Sequence, residues 1–167
     1  MGDICFDVRI CDIDLLAARQ LLFTAPLFIP CIKEQVSNPK VVAIGNSDFI
    51  YNFVRESTAC TYMANRKVYI SVLDQNSSYL QKKFKQNCPG FFNNSCVHRK
   101  ITPDFYQVDL SAPTLPNILS GKAEPQYTEL EKNIANALTN ANYFVIDVGT
   151  VELVLKTTGV FCQKSVT

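Results

Sequence analysis

Val41-Val42-Ala43-Ile44-Gly45-Asn46-Ser47-Asp48 is the stretch that decides the fold: four apolar residues in a row, a glycine, then three small polar residues before a new apolar pattern begins. A short unbroken apolar run suits a strand covered on both faces, as in a parallel sheet flanked by helices. Gly45 closes the run, and Asn46 or Ser47 offers a side-chain oxygen to the first free amides of a helix. Phe49, Ile50, Phe53 and Val54 then share one helical side. The stretch is a strand-to-helix junction, the repeating unit of a layered α/β protein.

The same alternation extends in both directions. Residues 4–10 alternate apolar and charged side chains and read as a strand, and residues 15–23 are Leu- and Ala-rich, with Asp12 or Asp14 placed to cap a helix that ends before Pro26. Downstream, 67–73 reads as a strand and 77–85 as a short helix with Leu80 and Phe84 toward the core. Pro89-Gly90 and Asn93-Asn94-Ser95 mark 87–103 as a loop, with 96–101 extended, and a strand follows over 105–110. Pro113, Pro116, Gly121 and Pro125 mark a second long connection. Thr128 and Glu131 form a capping box, and Leu130, Ile134, Ala137, Leu138 and Ala141 line one helical face behind it. Residues 143–148 read as a buried strand and 151–156 as its partner across the Gly149-Thr150 turn. The expected architecture is a single α/β domain over 1–167, a three-layer sandwich whose mostly parallel sheet carries a C-terminal antiparallel edge hairpin.

Charge is distributed unevenly along the chain. The net charge is +1, yet no acidic residue lies between Asp74 and Asp104, a window that holds Lys82, Lys83, Lys85, Arg99 and Lys100. The rest of the chain keeps 11 basic residues against 15 acidic ones. This balance argues against a molecule-wide polyanion-binding surface and leaves room for a local patch. Tyr79, Phe84, Phe91 and Phe92 interleave with those cations, and lysines beside aromatic faces are the composition that holds phosphates and stacks bases. The sequence therefore predicts a non-catalytic interaction module whose 79–100 surface engages an acidic partner, either nucleic acid or protein. Lys82, Lys83, Lys85, Arg99 and Lys100 are its charge contacts, and Phe91 and Phe92 its exposed anchors.

A second reading comes from the ends of the strands, where open α/β sheets place their ligands. Asp12, Asp14, Asn46, Ser47, Asp48, Asp74 and Asp109 all fall at or just past such ends, and carboxylates focused on one spot call for a divalent cation such as Mg²⁺. Arg9-Ile10-Cys11-Asp12-Ile13-Asp14 resembles the strand-then-Asp-x-Asp opening of haloacid-dehalogenase-like phosphohydrolases. The resemblance implies an Mg²⁺-dependent enzyme in which Asp12 attacks phosphorus, Asp14 protonates the leaving group and Ser47 binds phosphate. Leu16 departs from that family's pattern, and no paired acidic motif follows a late strand.

Seven cysteines without a C-x-x-C pair, in a chain with no signal peptide, point to reduced thiols and a cytoplasmic or nuclear protein. His98 is the only histidine, so a zinc site would have to gather Cys88, Cys96 and His98 with a fourth ligand such as Cys60. Cysteine nucleophile chemistry would need the same His98 as its base. The apolar stretch 21–32 contains Pro26 and Pro30 and falls short of the ~20 residues a membrane-crossing helix needs. Neither G-x-G-x-x-G nor G-x-x-x-x-G-K-[ST] occurs, so a phosphate at Gly45-Asn46-Ser47 would rest on the helix N-terminus alone.

Overall fold

The computed structural model describes residues 12–35, 37–60, 67–91, 101–109 and 128–148. Asp12 caps the first helix, α1 (Ile13–Thr24), by accepting a hydrogen bond from the Leu15 amide at 2.9 Å. A short helix, α2 (Phe28–Glu34), follows. Pro30 is its third residue, where the backbone amide has no intrahelical partner and its loss costs little. Next come β1 (Lys40–Ile44), α3 (Asp48–Cys60), β2 (Val68–Asp74) and α4 (Ser77–Asn87). A 3₁₀ turn over Pro89–Phe91 then precedes β3 (Ile101–Gln107), α5 (Glu129–Thr139) and β4 (Tyr143–Ile146).

These strands form a four-stranded sheet in the order β3-β2-β1-β4, and every pairing is parallel. Val41 pairs with Ile70 on one side and Tyr143 on the other, so β1 is central and buried on both faces, as its apolar run requires. No antiparallel hairpin is seen among the described residues: β4 pairs with β1 in parallel, and 151–156, expected as its hairpin partner, lie outside them. The strand expected over 4–10 lies outside them as well.

Helices cover both faces. Val41, Ala43, Val68, Ile70, Val72 and Val145 point to one side, where they pack with Ala18 and Leu22 of α1, Ile50, Phe53 and Val54 of α3, and Leu80 and Phe84 of α4. Val42, Ile44 and Leu73 point to the other and meet Ile134, Ala135 and Leu138 of α5. The strict alternation along β1 and β2 assigns each side chain to a layer. Full burial of each large side chain contributes roughly 1.5–3 kcal/mol. Rings knit the first face, with Tyr51 against Phe84 at 4.6 Å and Phe84 against Phe105 at 5.7 Å between centroids. Arg19 of α1 donates to Glu56 of α3 at 2.7 Å, and the Tyr143 hydroxyl donates to the Ala25 carbonyl at 2.8 Å, tying the end of α1 to the start of β4.

One boundary and one core position differ from the sequence reading. β3 begins at Ile101 rather than 105, taking in Pro103, which pairs with Ile70. Proline is tolerated because β3 has a neighbour on one side only among the described residues. Leu130, expected on the buried face of α5, is 44% exposed, while Ala135 is buried instead. No described helix is long and apolar enough to cross a membrane.

Gly45 has φ +123°, and a Cβ built there falls on the Asp147 carbonyl oxygen. Gly45→Ala is expected to destabilise the protein by about 3 kcal/mol, through left-handed strain and the displacement of β4. Chemical denaturation measures this, and an unchanged midpoint would contradict the packing described.

Candidate functional site

The chain leaves β1 into α3, which lies on one face of the sheet, and arrives at β4 from α5, which lies on the other. Neighbouring strands whose connections part to opposite faces open a crevice beyond their carboxyl ends. Gly45 sits at the bottom of this one: its amide donates to the Leu73 carbonyl at 3.0 Å, and the Asp147 amide donates to the Ile44 carbonyl at 2.9 Å. Three strand ends therefore meet at one residue without a side chain.

Ser47 joins the two sides of the crevice. Its hydroxyl donates to Asp147 Oδ2 at 2.5 Å and accepts from the Ile50 amide at 3.2 Å, so one oxygen caps α3 and bridges to β4. Asp74, the last residue of β2, is about nine-tenths buried; its Oδ1 accepts from the Asn76 amide at 2.7 Å, and its other carboxylate oxygen makes no hydrogen bond within the described structure. Just past β3, Asp109 Oδ1 accepts from Gln75 Nε2 at 2.7 Å. The edge thus presents Asp74, Asp109 and Asp147 from three strands, with Asp48 in the first turn of α3.

Among the described residues no three His, Cys, Asp or Glu side chains form a group that could hold a metal ion, so these carboxylates are not gathered into one cluster of that size. Parallel strands stand ~4.8 Å apart, and each acid here has a hydrogen-bond donor of its own, which keeps the charges separate. Asp12 and Asp14 lie exposed at the start of α1. Ser47, given the phosphate-binding role by the phosphohydrolase resemblance, is engaged by Asp147 and Ile50.

The basic window divides in two. Lys82 and Lys85 are exposed on α4, whereas Lys83 turns toward α3, its ammonium 2.6 Å from Asp48 Oδ1 and 4.4 Å from the centre of the Tyr51 ring. The hydrogen bond to Asp48 raises the Lys83 pKa above the ordinary lysine value, so this cation stays charged and anchors α4 to α3. Phe84, counted among the window's aromatics, is fully buried between Tyr51 and Phe105 and belongs to the core. The Phe91 side chain, Phe92, Arg99 and Lys100 lie outside the described residues, as do Cys96, His98 and the Cys60 side chain.

Sequence reasoning located Gly45, Ser47, Asp48, Asp74 and Asp109 at strand ends and missed Asp147. The strand assigned to 143–148 enclosed it, while β4 stops at Ile146. An Asp interrupting an apolar run two residues before a glycine was the available signal.

No family model matches the chain, and no curated protein and no solved structure matches it.

Ser47→Ala removes both the cap and the bridge to Asp147, and a loss of about 1.5 kcal/mol is expected. Ser47→Thr keeps the oxygen and most of that stability. Urea unfolding of the two variants distinguishes these effects; equal midpoints would show that the bridge contributes nothing.

Proposed function

We propose that this chain binds a nucleoside-bearing ligand in the crevice between the carboxyl ends of β1 and β4. The observation that carries the reading is the strand order β3-β2-β1-β4, all parallel. It places a topological switch point at Gly45 and Asp147, and in doubly wound sheets of this order the ligand lies outside the strand ends at that point. The reading is thus an analogy of architecture, made specific by three residues.

Gly45 lets the Asp147 carbonyl approach the backbone closely, which sets β4 beside β1 at the floor of the crevice. Asp74 occupies the end of β2, where a carboxylate accepts hydrogen bonds from a ribose diol, and one of its oxygens makes no hydrogen bond within the described structure. The bridge from Ser47 to Asp147 holds the two lips of the crevice together. The glycines that cradle a pyrophosphate are absent from the Gly45-Asn46-Ser47 turn, and the charged groups described along the edge are mostly carboxylates. Recognition is therefore assigned to the nucleoside part of the ligand, its sugar and base, rather than to a phosphate chain.

Calorimetric titration with adenosine, AMP, ATP and NAD⁺ tests the reading. At least one of these adenosine-containing ligands is expected to bind, and Asp74→Asn is expected to weaken that binding about tenfold, the ~1.4 kcal/mol of a charge-assisted hydrogen bond to the ribose. Absence of binding by all four at millimolar concentration, or equal affinity in Asp74→Asn, would overturn it.

A further inference from the structure

A polar cavity of about 180 Å³ lies between α5 and the sheet, away from the crevice. Lys40 opens β1 and pairs with Tyr69 near the start of β2, and both line the cavity, which therefore sits toward the amino ends of those strands. Strand alternation assembles its floor. Tyr69 and Ser71 share a face of β2 with Leu73, which packs against α5, and Ser71 and Leu73 pair with Asp104 and Tyr106 of β3. The wall comes from α5 and its cap, where Asn133, Asn136, Ala137 and Asn140 recur at i, i+3, i+4 and i+7 beside the buried Ile134, Ala135 and Leu138. Asparagine is a mediocre helix former, so local propensity does not account for this stripe.

Most hydrogen-bonding groups of this lining are neutral and can both donate and accept. The Asn133 carboxamide and the Ser71 and Tyr106 hydroxyls make no hydrogen bond within the described structure. Asn140 Nδ2 donates to Asn136 Oδ1 at 2.6 Å, which holds the Asn136 carboxamide and leaves its N–H groups for a ligand. Burial, with a smaller contribution from Asp104, raises the Tyr106 pKa above the ordinary phenol value, so its hydroxyl stays a neutral donor.

We propose that this cavity binds one neutral sugar ring. Sugar hydroxyls donate and accept at once, which suits a wall of carboxamides facing a floor of hydroxyls, and the Tyr69 ring, 38% exposed, offers an apolar plane to the sugar's C–H face. The volume is below the ~300–1,000 Å³ of pockets for drug-sized ligands, which limits the occupant to a single ring. An anion would meet Asp104 as well as Lys40, and an apolar ligand would leave the amides desolvated and unpaired. The cavity shares no residue with the crevice, so either assignment can fail without the other.

Titration of the isotope-labelled full chain with glucose, galactose, mannose and N-acetylglucosamine, followed through backbone amide chemical shifts, tests the proposal. At least one of the four is expected to shift the amides of Lys40, Tyr69, Ser71, Tyr106, Asn133 and Asn136, saturably and at millimolar concentration, while those of Gly45 and Asp147 stay in place. Asn133→Ala should weaken that binding about tenfold through the loss of its hydrogen bonds to sugar hydroxyls. Tyr69→Ala should weaken it to a similar degree, about tenfold, and Tyr69→Phe, which keeps the ring, should bind like the parent. Both positions are exposed, so circular dichroism should show the fold unchanged. The proposal is overturned by absence of saturable shifts with all four sugars, by shifts centred on Gly45 and Asp147 instead, or by parent-like affinity in either alanine variant. Tighter binding of inorganic phosphate than of any sugar at the same amides would overturn it too, assigning the cavity to an anion.

Discussion

A single close approach organises this protein: the backbone of Gly45, leaving β1, lies against the carbonyl of Asp147, leaving β4. No side chain fits between them, and the glycine's φ of +123° is one that other residues avoid. The contact brings β4 beside β1 rather than leaving it at a distance, and β4 supplies both layers of the core, with Val145 and Tyr143 on one face and Ile146 on the other. Widening the gap at residue 45 would loosen both clusters together. Sheet order, core and crevice are consequences of the same few atoms.

The acids along the edge are arranged by local hydrogen bonding more than by mutual attraction to a shared ion. Asp147 takes the Ser47 hydroxyl, Asp74 the Asn76 amide, Asp109 the Gln75 amide group and Asp48 the Lys83 ammonium. The Lys83–Asp48 pair is largely solvent-facing on the carboxylate side, so its contribution lies within about 1 kcal/mol. The orientation of α4 is set instead by the burial of Leu80 and Phe84, which leaves Lys82 and Lys85 exposed.

Much of this was legible beforehand, and what was not has identifiable causes. The unbroken run Val41–Ile44 signalled a doubly covered strand, and the capping box at Thr128 and Glu131 is present in full, holding Glu131 below the usual carboxylate range through its bonds to Thr128. Leu80 and Phe84 face the core as their spacing required. Pairing across the sheet was illegible, because strand order is set by which distant segments pack together, such as Asn142 with Lys40, and no local pattern encodes a partner 102 residues away. α2 was hidden by its own Pro30, and the first half of β3 by Pro103, both tolerated only because of where they fall in their elements. In the site, residue type and position past a strand were readable for Ser47 and Asp74, whereas the partnership of Ser47 with Asp147, 100 residues apart, was not.

The central claim is that β1 and β4 are parallel neighbours, since the crevice exists only if they are. Nuclear Overhauser contacts between backbone protons of 41–44 and 143–146 in the isotope-labelled protein test it most directly. The account predicts the parallel pattern, with Val41 opposite Tyr143 and Ile44 opposite Ile146, and slow exchange of the Asp147 amide that donates to Ile44. An antiparallel pattern, or no contacts between these two segments, would contradict it.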